Sequence, residues 1–267
     1  MTTDGPGSTH GPGGTDATGA TGREAATALA AWGNAWLTGH IGLDEAVDAV
    51  ERAAGPQVLG DAPLRRGLGD LRVAGMSALR LALPEPGDPL GLTGPPALNR
   101  AAIEAGAAVV AVLPDRAAGL VPAADRRGSS YVGVRWTAHD ATPGPPDVPP
   151  LADADRQLTL AMRDATEVLL AVTDVSGVPP EVAGALAALR DPGPGDHPLA
   201  PGYPPRAHRV AALAGRLATV VGLARRMDAR GLTADQMRDR SDALRLLDRA
   251  LRRALVAACN SAFDPVP

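Results

Sequence analysis

The sequence predicts an α+β fold: a small mixed β-sheet with helices in the N-terminal region, followed by an all-α helical C-terminal region. Alternating apolar and polar residues at 78–83 and 129–138 predict the sheet. Capped segments of helical period, with no strand pattern, fill the chain after residue 150 and predict the helices. The Pro-rich stretch "ATPGPPDVPP", 141–150, divides the two. The expected organisation is a disordered tail over 1–21, an α+β region over 22–150 and a helical bundle over 151–267.

The tail, "MTTDGPGSTHGPGGTDATGAT", holds almost nothing that enters a core, so burial cannot offset the entropy of ordering it. From about Arg23 to Thr38 a helix presents Leu29, Trp32 and Trp36 at core spacing. A second, Leu43 to Ala54, presents Val47 and Val50 and stops at "GP". Leu64, Leu68 and Leu71 mark a third. In "ALRLAL", 78–83, Leu79, Leu81 and Leu83 alternate with Arg80 and Ala82, the pattern of a half-buried strand.

After the loop "LPEPGDPLGLTGPP", a helix with Pro96 at its start and Gly106 beyond its end leads to the apolar strand "AAVVAVL", 107–113. Neighbouring strands of such a unit pair in parallel through a right-handed crossover, and that is the expectation here. Residues 114–128 read as a hairpin-like excursion. The strand at 129–138 then places Val132, Val134, Trp136 and Ala138 on its core face and Tyr131, Arg135 and Thr137 on the other. Helices follow at about 153–173, 180–190, 205–229 and 234–262, the last opened by the capping box of Thr233 and Gln236. Arg238–Asp242 and Asp248–Arg252 are expected to pair along it.

Of the 267 residues, 45% are hydrophobic, 21% charged and 2% aromatic, values of a globular chain. All 26 basic residues are arginine, and there is no lysine. A phosphate loop of the G-x-x-x-x-G-K type and a pyridoxal phosphate Schiff base both require a lysine, so neither exists here. The single cysteine, Cys259, rules out an internal disulfide and a cysteine-rich zinc site, and its apolar surroundings mark it as a packing residue. No cofactor and no metal are expected. No signal-peptide pattern and no apolar run of spanning length is present, so no membrane span and a cytoplasmic location are expected.

The 83–96 loop poses the main functional question. A phosphate cradle needs convergent backbone N–H groups, and Pro84, Pro86, Pro89, Pro95 and Pro96 remove five of them. The loop therefore reads chiefly as a stiff bend, with the amides of Gly91, Leu92, Thr93 and Gly94 as a residual ligand-binding candidate. His139, His197 and His208 are further candidates. His139–Asp140 matches a metal-dependent phosphohydrolase dipeptide but stands at a strand end, without the helical ligands such sites need. His197 and His208 flank the long loop 191–205. Residues 205–267 hold twelve Arg against six Asp, whereas the rest of the chain is acidic. Arg225, Arg226, Arg252 and Arg253 are the candidate anion-binding residues. Aromatic residues are nearly absent there, so nucleic acid is not the expected partner. Docking of the basic helices on the acidic half is the simpler reading.

The run "RLALPEPGDPLGLTGPPALNRAAIEAGAAVV", 80–110, with "WGNAWL" upstream, resembles a family of uncharacterised proteins from high-GC actinobacteria over most of the chain after the tail. That family has no assigned function, so the resemblance implies no activity and no site residue. The first functional expectation is a non-catalytic interaction or accessory protein, with an unknown protein partner or a second copy of itself. The alternatives are a small-molecule binding protein or enzyme with a site near loops 84–96 and 191–205, and an anionic-surface or nucleic-acid binder acting through the four arginines. Whether the chain is an enzyme stays open at this level.

Overall fold

Helix α1, Gly14–Leu37, buries Ala25, Ala26, Leu29, Ala30, Ala31 and Ala35. This computed structural model describes residues 14–127, 131–172, 199–226 and 233–263. The small residues let α1 lie close on the sheet. At Gly33 a Cβ would stand 2.3 Å from Leu79 Cδ1, so any larger residue would have to displace that methyl. Trp32 and Trp36 are only half-buried, and the Arg72 guanidinium lies over the Trp36 ring at 6.0 Å. The helix starts well before Arg23, within the stretch expected to be disordered. Once Ala25 to Ala35 anchor it, each added residue gains a hydrogen bond without a new nucleus. Residues 1–13 lie outside the described residues.

Helices α2, Leu43–Ala54, and α3, Leu64–Val73, flank a short hairpin of β1, Gln57–Leu59, and β2, Ala62–Pro63. Strands β3, Ala78–Ala82, β4, Ala108–Val112, β5, Ala117–Arg127, and β6, Tyr131–Ala141, complete a six-stranded mixed sheet of order β2-β1-β6-β5-β4-β3. Its β1–β6 pair is parallel and the others are antiparallel.

One face of the sheet, with Leu79, Leu81, Val109, Leu120, Val134 and Trp136, packs into the main core with α1 and the C-terminal helices. The other face, with Ala82, Ala108, Val110, Ala117 and Val121, lies beneath Leu92 and beneath Leu98 and Ala102 of helix α4, Pro96–Ala105. Strand β3 is therefore covered on both faces rather than half-buried. Val134 and Trp136 are buried as expected, but Val132 and Ala138, expected on the same core face, are exposed.

Strands β3 and β4 are antiparallel, with Ala82 opposite Ala108, and not parallel as the strand–helix–strand pattern suggested. The proline-rich loop makes the return journey itself. Gly91 lies against Leu81 and Ala82, Thr93 beside Val110 and Ala117, and Gly94 O accepts from Thr142 N–H at 3.1 Å. Helix α4 then carries the chain back to the end where β3 stopped, and Gly106 ends it in the left-handed conformation, φ 70°.

The expected excursion is strand β5. Alanine, Gly119 and Pro122 hide its strand character. Pro122 pairs with Trp136 beyond Leu120, where the ladder to β4 has ended, so its missing N–H deprives no neighbour.

After the proline-rich linker come α5, Leu151–Val172, α6, Pro205–Arg226, and α7, Ala234–Asn260, with a 3₁₀ turn at Ser261–Phe263. Helix α7 opens with the expected box: Thr233 Oγ1 accepts from Gln236 N–H, and Gln236 Oε1 accepts from Thr233 N–H. Arg238 pairs with Asp235 rather than Asp242, which pairs with Arg245. The helix expected at 180–190 lies outside the described residues.

Candidate functional site

Strand β3 ends the sheet, so one side of its backbone has no strand neighbour. Side chains take that place. Asn34 of α1 donates from Nδ2 to Leu79 O at 2.7 Å, and its Oδ1 accepts from Leu79 N–H at 2.8 Å. Asn260 does the same for Leu81, at 3.1 and 2.8 Å. Arg252 Nη1 donates to Leu83 O at 2.7 Å. A primary amide offers one acceptor beside its donors, the pair a strand residue would present. The edge is thus closed by α1 and α7, which removes a template for unwanted strand pairing. The chain has three asparagines, and two of them sit here. Sequence reasoning missed both. The available signal was a lone amide in an apolar helical stripe, Asn34 between two tryptophans and Asn260 after "LVAAC".

Behind this edge Tyr203 donates from its hydroxyl to Cys259 O at 2.9 Å and lies edge-on to His208. Burial pushes the Cys259 thiol up to about 12. Burial first, then the neighbouring Cys259, raise the Tyr203 phenol far above its ordinary value, opposed by the contact with Asn34. Both groups are neutral at physiological pH and serve packing.

The proline-rich loop answers the question it raised. Glu85 and Asp88 exchange two backbone hydrogen bonds of 2.9 Å around Pro86 and Gly87, a tight turn with Gly87 at φ 80°. Leu92 N–H is taken by Pro89 O and Gly94 N–H by Asn99 Oδ1. Two of the four candidate amides at 91–94 are therefore engaged within the protein. The Thr93 hydroxyl has no hydrogen-bond partner, beside a cavity of about 30 Å3, room for little more than one water.

The turn instead receives α7. Arg252, 1% exposed, approaches Glu85 Oε2 at 2.8 Å, Asp88 Oδ2 at 3.3 Å and Asp248 Oδ2 at 3.5 Å. Arg249 and Arg253 approach Asp88 at 3.4 and 3.7 Å, and Arg225 approaches Asp248 at 3.7 Å. Three of the four arginines proposed as anion contacts are thus turned to internal carboxylates, and Arg252 is no surface cation at all. The physical reason is the acidic turn, which lies too far off in sequence for helix spacing to reveal it. The Arg226 side chain lies outside the described residues.

Burial raises the Glu85 pKa, Arg252 lowers it, and the charge of Asp248 and its hydrogen bond to Glu85 raise it again. The net direction is upward. In the pH window above the ordinary 4.5 the folded state therefore binds this proton more tightly than the unfolded state. Its contribution is full below that value and is lost as pH rises through the folded pKa. Wild type should lose stability relative to Glu85→Gln as pH climbs from about 4 to 7, read as the difference between their Tm values. A difference independent of pH would show that Glu85 titrates as it does in the unfolded chain.

At the opposite side of the sheet, β6 is only partly covered. Val134 N–H donates to Pro56 O, Trp136 O accepts from Gly60 N–H, and Thr142 N–H donates to Gly94 O. Even-numbered residues of β6 thus direct their backbone groups away from β5. Between Trp136 and Thr142, Ala138 and Asp140 face the same way, and no described strand pairs with them there. Thr137, Ala138 and Asp140 are exposed. Beside this run lies a cavity of about 390 Å3 lined by Ala97, Leu98, Arg116, Ala138, His139 and Asp140. The cavity brings His139 to the start of α4, whereas His208 stands against Tyr203. His197 lies outside the described residues. Among the described residues no group of three His, Cys, Asp or Glu side chains is placed to hold a metal ion, and no helix is long and apolar enough to cross a membrane.

Two family models cover the chain: the N-terminal domain of the Rv1486c-like protein over residues 26–151 and its C-terminal domain over 152–256. The chain belongs to the Rv1486c-like family. That family is mycobacterial and carries no assigned function. No curated protein and no solved structure matches the chain. The ion cluster joins the two Rv1486c-like regions, since Glu85 and Asp88 come from the first and Asp248 and Arg252 from the second.

Proposed function

We propose that this member of the Rv1486c-like family is a cytoplasmic, non-catalytic interaction or accessory protein whose partner is another protein or a second copy. The observation that carries this reading is the open backbone of Ala138 and Asp140, which among the described residues has no strand paired to it, in a sheet whose other edge is closed by three dedicated side chains. An unpaired strand edge is a template for another chain, and folds that need no partner there blunt it. Exposed apolar side chains do not supply an alternative face on α7. Met237 and Leu246 are exposed, but nine residues apart they fall on opposite sides of that helix.

The cavity beside β6 favours one other reading, a small-molecule binding protein or enzyme, because its volume falls in the range of ligand pockets. Co-purification with the tagged full-length chain, followed by reconstitution from purified components, separates the two. A protein that re-forms a stoichiometric complex, or self-association of the purified chain, supports the interaction reading. A monomer that re-forms no complex and carries a small molecule by native mass spectrometry overturns it.

A further inference from the structure

We propose that the open run of β6 and the adjoining cavity form a groove for the C-terminal end of a partner chain. The end is bound as an added strand, with its terminal carboxylate against the start of α4 and Arg116. The proposal rests on the interaction reading and specifies its partner chemistry.

Backbone geometry sets the first requirement. Ala138 and Asp140 present two N–H donors and two C=O acceptors on one side, bounded by the bonds of Gly60 and Gly94. From Trp136 to Thr142 the strand rises roughly 20 Å at about 3.3 Å per residue, which seats a peptide of four or five residues. An extended backbone satisfies all four groups at once, the mode in which a peptide joins a sheet edge. A compact small molecule does not.

Polarity sets the second. Strand β1 runs parallel to β6 and stops where the open run begins. A strand that continues in its direction points its C-terminus at α4. That helix has Pro95 as its N-cap, no side-chain cap and Pro96 in its first turn. Asn99 N–H makes the bond to Pro95 O, so the Ala97 and Leu98 amides lie ahead of the helical ladder. With the helix dipole and the exposed Arg116 they attract an anion at the end of the groove. Asp140 lines the same cavity, so Arg116 and Asp140 leave its ionised lining without net charge, and a bare anion gains little. A peptide end adds backbone bonds to its carboxylate and fits both parts.

The test uses the full-length chain and a library of random hexapeptides displayed with free C-termini. The selected sequences are then synthesised as free acids and as amides. The free acids should bind, and amidation should weaken them by about tenfold or more, the loss of a charge-assisted contact. Arg116→Ala, on the surface, should weaken the free acids and leave the amides unchanged. Ala138→Pro should abolish binding, since the N–H it removes points away from β5. Failure to select any free-acid peptide would overturn the proposal, as would binding indifferent to amidation and to Arg116→Ala. A concentration-dependent dimer, seen by sedimentation and dissociated by Ala138→Pro, would also overturn it by assigning the edge to a second copy. Peptide failure beside a reconstituted protein complex sinks this proposal and leaves the interaction reading standing.

Discussion

Arg252→Ala is expected to cost about 3–5 kcal/mol, the range for removing one partner of a buried ion cluster. The loss goes beyond one attraction. Leu83 O loses its donor, and the buried Asp88 and Asp248 carboxylates lose the guanidinium that lies 3.3 and 3.5 Å from them. In a chain of this size that corresponds to a Tm lower by about 6–20 °C. Arg252→Lys keeps the charge but cannot reach a carbonyl and three carboxylates at once, so it should recover only part of the loss. Urea denaturation of the three proteins measures both effects. If Arg252→Ala melts near wild type, α7 is not held to the proline-rich turn as described.

Trp136→Ala should cost a similar amount, about 3–5 kcal/mol, through the cavity it leaves. The ring is fully buried, and its Nε1 donates to Gln57 Oε1 at 2.6 Å, so the substitution also strips a partner from a buried amide. Gln57 in turn donates to Val50 O, which ties α2 to the parallel strand pair. Arg135, on the other face of the same strand, bonds Gly60 O and lies 3.2 Å from Asp61 and 3.5 Å from Asp125, at a site open to solvent. Arg135→Ala should cost less than about 1 kcal/mol. Equal losses for the two variants would mean that the faces of β6 are misassigned.

Much of the helical framework was legible because its signals are local. The stop of α2 at "GP", Pro96 and Gly106 around α4 and the Thr233 box each act within a few residues. What was lost depends on partners distant in sequence. β5 carries no β-branched run, and only its neighbours make it a strand. The antiparallel β3–β4 pair follows from the path of the proline-rich loop, and strand–helix–strand order does not encode that path. Asp248 is a helix-spaced partner of Arg252, but Glu85 and Asp88, which complete its burial, lie more than 160 residues away in a turn whose prolines indicate only stiffness. Its charged residues, not its glycines, do the joining. The sequence sets His139 beside Asp140, but the open backbone on either side of it depends on where β1 stops.

Native-state hydrogen exchange, resolved by residue, tests most directly the claim that one sheet edge is closed from within and the other left open. The Leu79 and Leu81 amides, held by Asn34 and Asn260, should exchange only with global unfolding. The Ala138 and Asp140 amides should exchange orders of magnitude faster, while His139 between them, bonded into the β5 ladder opposite Gly119, stays protected. Slow exchange at 138 and 140 in the isolated protein would contradict the account, because the edge proposed for a partner would already be occupied.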